Sequence, residues 1–145
     1  MPNSRSFDHL FNGRFMVEIS GVNVASFTAC DGLEASVDVV RFADGSDKLG
    51  RERKRPGRTR YANIVLRRGL TLDDELWRWF KAVADGGIER RSGAIIVNGD
   101  DGSEKLRYNF HEAWPCRWKS LELRTDEPGT LVEELELAVE LVERA

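Results

Sequence analysis

The chain has 145 residues, a net charge of −3, 41% hydrophobic and 32% charged residues. That balance excludes the charge-rich, apolar-poor composition of disordered chains and suits one domain with a buried core. No run is apolar enough to span a bilayer, the first sixteen residues lack a signal-peptide pattern, and two cysteines do not make a disulfide scaffold.

Taken in chain order, residues 1–12 predict a loose N-terminus. "GRFMVEISG" alternates, with Phe15, Val17 and Ile19 on one side and Arg14, Met16, Glu18 and Ser20 on the other, the pattern of a strand with one covered face. "GVN" supplies a turn and "VASFTAC" a second strand, giving a hairpin; "LEASVDVVRF" reads as a third. Residues 43–58 carry glycine, proline and charge with little to bury, and predict an extended exposed loop. "RYANIVLRRG" returns to strand, with Ile64 and Leu66 on one face and Tyr61 and Val65 on the other.

One helix is predicted. Thr71 stands as its N-cap, and Asp73, Asp74 and Glu75 occupy the first turn, where the helix dipole favours carboxylates. Leu72, Leu76, Trp79, Phe80 and Val83 form its apolar stripe, Trp77 lies at the margin, and Gly86–Gly87 ends it. A hairpin follows: Ala94–Val97, the turn "NGDDGS", then Lys105–His111. "CRWKSLEL" makes another strand, whose change of apolar phase predicts a bulge near Lys119 and Ser120. "TLVEELELAVELVER" fits both periods, and its Glu and Leu propensity favours helix.

Chemistry-bearing residues cluster in "FHEAWPCRWKS". His111 and Glu112 lie on opposite strand faces, so no Cys–His–Glu triad assembles with Cys116, and no close ligand pair suits zinc. The expectation is no catalytic residue, no metal and no cofactor. Trp114, Pro115 and Trp118 are expected to form a structural turn covering one end of the core. Charge is unevenly placed. Eight basic residues lie between Arg41 and Arg60 against Asp44, Asp47 and Glu52, and eight acidic ones follow Leu121 against Arg124 and Arg144. A phosphate-binding patch would want interleaved aromatics, which "KLGRERKRPGRTR" lacks, so a solvated loop or pairing with an acidic protein surface is favoured.

Three collinear segments carry a resemblance: "FMVEISGVNVASFTACDGLEASVDVV", "KRPGRTRYANIVLRRGLTLDDELWRWF" and "HEAWPCRWKS…ELELAVELV". They resemble the inner tail-tube proteins of contractile phage tails and phage-tail-like extracellular contractile injection systems, from about Gly13 to Val142. Lys54-x-Pro56-Gly57, then Tyr61-x-Asn63-Ile64-x-Leu66-x-Arg68-Gly69, and the Ala113-Trp114-Pro115 step are its most specific parts.

The resemblance implies a mainly β (α+β) antiparallel sandwich or barrel with one packed helix, spanning residues 1–145 as one tail-tube domain, and a strand at the C-terminus. It implies homohexameric rings with a continuous β-barrel lumen, stacked inside a sheath, with baseplate or tube-initiator and terminator proteins as partners and cargo protein or DNA in the lumen. Subunits would assemble in the bacterial cytoplasm, without membrane insertion, into a virion tail or an injection particle.

Under that scheme residues 43–58 become an inter-subunit arm through Lys48, Arg51, Arg53, Lys54, Arg55, Pro56, Gly57 and Arg58. Glu133, Glu134, Glu136 and Glu140 become the acidic partner surface on another copy. Arg14, Glu18, Ser36, Asp38, Arg60 and Arg67 are candidates for the lumen or for subunit pairing, and Arg78 and Lys81 for a sheath-facing surface. A tube-initiator of the same fold is the alternative; a nucleic-acid-binding module or a Cys–His hydrolase stands further off.

Overall fold

A computed structural model describes residues 15–20, 22–25, 27–69, 72–87, 89–120 and 131–145. The expected N-terminus, the Arg14 position, the Thr71 cap and the phase change at Leu121 and Leu123 lie outside them. Among the described residues ten strands and one helix follow in order: β1 (Phe15–Ile19), β2 (Val22–Ala25), β3 (Ala29–Asp31), β4 (Ala35–Ala43), β5 (Glu52–Tyr61), β6 (Ile64–Gly69), α1 (Glu75–Ala84), β7 (Arg91–Asn98), β8 (Glu104–Lys119), β9 (Val132–Ala138) and β10 (Leu141–Arg144).

Eight strands form one antiparallel sheet in the order β2-β1-β7-β8-β9-β6-β3, with β10 pairing β8 beside that path. The strand β8 is long enough to serve two halves. Its first part pairs β7 and β10, and residues Trp114–Lys119 pair β9. Alternation places Val17 and Ile19 of β1, Ile95 of β7, Phe110 of β8, Ile64 and Leu66 of β6, and Leu135 and Leu137 of β9 in one buried cluster. Leu76 and Trp79 of α1 close it, and the Trp79 indole donates to the Glu89 carbonyl at 2.9 Å.

The helix starts later than predicted. Leu72 is fully exposed and precedes it, because the Asp73 carboxylate accepts from the Glu75 amide and holds the chain in a local turn. Its end is as expected: Gly86 takes φ +96°, and the amides of Gly86 and Gly87 close on the carbonyls of Val83 and Ala82.

Three sequence expectations change. Residues 43–58 are largely exposed, as expected, but they are not loop throughout. The segment Glu52–Tyr61 is a strand paired with β4, forming a two-stranded arm apart from the main sheet, with its tip at residues 44–51. Pro56 is tolerated because the register shifts between Val37 and Val39 opposite it. Gly57 lies so close to β4 that a Cβ there would stand 2.9 Å from Val40 Cγ2.

The expected turn at Trp114, Pro115 and Trp118 is instead continuous strand. Pro115 fits because the irregularity lies between Pro115 and Arg117, not at Lys119–Ser120, and a bulge spares the missing N–H. The C-terminal segment is two strands, as the resemblance implied. Sandwiching between β8 and β6 overrides the helix propensity of its Glu and Leu residues.

Candidate assembly surfaces

Two structural elements are left incomplete among the described residues. The terminal strands of the main sheet, β2 and β3, have four and three residues, and each pairs along one side. The arm is the second. β4 and β5 pair with each other, and almost every residue on them is exposed. Val37, Val39 and Phe42 stand 50%, 58% and 45% exposed, and Leu49 at the tip 76%. A two-stranded ribbon with exposed apolar side chains on it is marginal in water unless something covers it.

Charge along the arm is partly compensated from within. Asp47 takes Arg51 at 3.2 Å and Arg53 at 3.8 Å, Asp38 takes Arg60 at 3.0 Å, and Arg41 faces Glu52 at 3.8 Å. The Arg55 guanidinium sits 5.8 Å from the Phe42 ring centroid. Lys48, Lys54 and Arg58 have no ionic partner among the described residues. The arm therefore keeps a surplus of positive charge, while Asp44 at its tip is held below the usual carboxylate range by hydrogen bonds from Ser46.

The glutamates expected to meet this arm are differently placed. Glu133 is buried beside Arg68 and is no part of a surface; it also accepts from the Trp118 indole at 3.2 Å. Glu134 bridges Arg67 at 2.6 Å and Arg117 at 3.0 Å, and the Arg67 hydrogen bond holds its carboxyl below the ordinary range. Glu136 accepts from the Asn63 amide at 3.1 Å, and Glu140 pairs with Arg90 at 3.0 Å. All four are engaged within the chain. The reason is strand alternation: β9 turns Glu133 inward with Leu135 and Leu137, and Glu134 and Glu136 onto the bare face beside Arg67 and Arg117.

Arg68 entered the sequence reading only as part of a motif and its burial was missed, although the Arg67-Arg68 pair within an alternating strand carries the signal, since one of the two must turn inward. It stacks 5.8 Å from the Phe27 ring centroid, and its Nη2 atom is buried without a hydrogen-bond partner. Of the remaining lumen candidates, Glu18 faces Arg107 at 3.6 Å and Ser36 is exposed on β4.

The busy stretch around His111 does not converge. His111 Nε2 faces Glu143 at 3.4 Å, whereas the Cys116 thiol lies 3.5 Å from Glu136 and 3.8 Å from Asn63. Both cysteines are free. Burial pushes Cys30 up to about 11, with Asp31 adding to it, and burial also raises Cys116, away from nucleophilic thiolate. Among the described residues no group of His, Cys, Asp or Glu suits a metal ion. None of their helices is long and apolar enough to cross a membrane.

On the helix, Arg78 and Lys81 point to solvent and pair with Asp74 and Asp85, each at 2.9 Å. Trp77 packs 4.7 Å from Trp118 and roofs that end of the core, in keeping with its marginal position.

A profile of the T4-like virus tail tube protein gp19 family matches residues 12–143. The chain belongs to this tail-tube family. It is a tail-tube protein. The fold agrees. A chain of the PVC extracellular contractile injection system, in a sheath–tube complex in the extended state, superposes with a TM-score of 0.87 at 23% identity, covering 100% of this chain and 99% of that one. A chain from the PVC sheath/tube terminator gives 0.85 at 25% identity, covering 94% and 96%. Hcp1 from Flavobacterium johnsoniae gives 0.58 at 20%, covering 90% and 94%. No curated protein sequence matches.

Proposed function

We propose that this tail-tube protein closes into six-membered rings that stack as a rigid conduit inside a sheath. The observation that carries the reading is the pair of unfinished sheet edges together with an arm that no described residue covers. In a closed ring each copy's edge strands and arm are completed by neighbours, which removes the free edges and the exposed apolar strip at once. Sixfold symmetry is supported by two similar assemblies, the 6-fold symmetrised anti-feeding prophage baseplate and the C6-symmetric tail of an empty gene transfer agent particle.

The subunit performs no chemistry in this role; it stiffens and encloses a channel for protein or DNA cargo, with sheath, baseplate and terminator proteins as further partners. Assembly takes place in the bacterial cytoplasm. The arm remains the inter-subunit element. Adhesion comes from strand hydrogen bonds and the Val37, Val39 and Phe42 strip. The surplus charge of Lys48, Lys54 and Arg58 sets orientation, since exposed pairs contribute about 0–1 kcal/mol each.

A tube-initiator role at the baseplate is the second reading. It is favoured by the likeness to a chain of the anti-feeding prophage baseplate, TM-score 0.84 at 18% identity. Negative-stain microscopy of the purified protein separates the readings. Stacked rings or tubes bear out the conduit and single unstacked rings the initiator, while a strict monomer at high concentration rejects both.

A further inference from the structure

We infer that a corner built on Glu112 and clamped by Arg90 sets the angle between the two halves of the subunit, and through it the number of copies that close the ring. This rests on the ring reading above. The chain passes from one half of the sheet to the other at a single level. β8 does so just past Glu112: β10 pairs it as far as His111 and β7 as far as Ala113, and β9 takes over from Trp114. The antiparallel return does so at residues 139–140, between β9 and β10, where the Glu140 amide donates to the His111 carbonyl at 3.2 Å.

Glu112 is the extra residue of a bulge. From Arg91 to Gly93 β7 advances two residues, while β8 advances three between their partners Ala113 and Phe110. It is also the only non-glycine residue with positive φ among those described, at 55°. A glutamate in that region is strained, and such a conformation persists where its surroundings hold it.

Arg90 supplies the hold. Its Nη1 atom lies 3.0 Å from Glu140 and 3.5 Å from Glu112, so one guanidinium ties both crossing segments to the start of β7. All three side chains are about half exposed, with 43%, 54% and 57% of their surface open. Ion pairs so placed add little to stability. Their consequence is geometric, because they limit how far the two crossings can open or close.

That angle matters for closure. The sheet path ends at β2 on one side of the corner and at β3, followed by the arm, on the other. The two unfinished edges thus belong to different halves. For a head-to-tail contact, the rotation from one edge to the other fixes whether copies close, and at what number. A drift in the corner would yield rings of mixed size or open filaments.

The test uses Arg90→Ala in the full chain. Class averages of the assembled particles should show the share of six-membered rings falling about two-fold or more, replaced by other ring sizes or open arcs. Arg78→Ala, which removes a similarly exposed pair on α1, should leave the native distribution. Glu140→Gln is the milder companion should Arg90→Ala fold poorly. Spin labels at Lys105→Cys and Lys119→Cys, on either side of the corner in a Cys30→Ser, Cys116→Ser background, read the bend in unassembled subunits. The distance distribution should broaden without Arg90. Unchanged rings, or an unchanged label distance, would overturn the corner while leaving the ring reading intact. Native protein that forms no closed ring would overturn the ring reading and this inference together.

Discussion

Arg68 and Glu133 meet at 2.7 Å inside the core, with 5% and 2% of their side chains exposed. They stand on neighbouring strands as a register pair, and Glu133 also holds the Trp118 indole. Removing one member leaves the other as an uncompensated buried charge. Glu133→Ala or Arg68→Ala should therefore cost about 3–5 kcal/mol by denaturant titration of the monomer. The double variant Arg68→Met, Glu133→Leu should recover most of that loss, because the interior no longer holds a charge. A double variant as unstable as either single one would show that the pair is essential to the fold.

Gly93 tests the packing of β7. A Cβ there would run into the Glu18 carbonyl oxygen and the Phe110 ring, so backbone must move to admit it. Gly93→Ala should destabilise by about 1–3 kcal/mol, as overpacking of a close-packed core does. Gly45→Ala at the arm's tip, where no atom lies near the added carbon, is the matched control and should change stability little.

Arm variants separate folding from assembly. Lys54→Glu with Arg58→Glu, or Val39→Asp, alters residues whose surfaces are open to water. The unfolding free energy of the monomer should stay within about 0.5 kcal/mol of native, as surface changes usually do. Ring formation by size-exclusion chromatography should fall sharply. Normal rings from both variants would remove the arm from the interface.

Acid sensitivity should trace to Glu134. Its carboxyl lies below the ordinary value of 4.5, chiefly through the Arg67 hydrogen bond. A depressed carboxylate contributes stability that is present above its unfolded value and lost as pH falls through the folded one. Stability measured from pH 7 downward should hold to near 4.5 and then decline. In Glu134→Gln the decline should be shallower, with a lower plateau at neutral pH.

The thiols should be slow to react. With burial raising both, alkylation of Cys30 and Cys116 near neutral pH should lag far behind the denatured chain. Prompt labelling of the folded protein at Cys116 would restore the case for a nucleophile there.

Much of this molecule follows from local order along the chain. Strict alternation in β1 and β6 assigned core faces through Val17, Ile64 and Leu66. The helical stripe with its Gly86–Gly87 stop located α1, and collinear motifs carried the family. Each signal resides in a few adjacent residues, so no distant partner is needed to interpret it. Where local preference and distant pairing disagree, only the folded chain decides. Glu52–Tyr61 looks like a loop until β4 lies beside it. The leucine–glutamate segment looks helical until β6 and β8 enclose it, and Trp114–Pro115 looks like a turn until a bulge absorbs the proline. The fate of the glutamates is the clearest instance. Their number is plain from composition, but whether each faces water, an arginine or the core depends on strand register, a relation between residues some seventy positions apart.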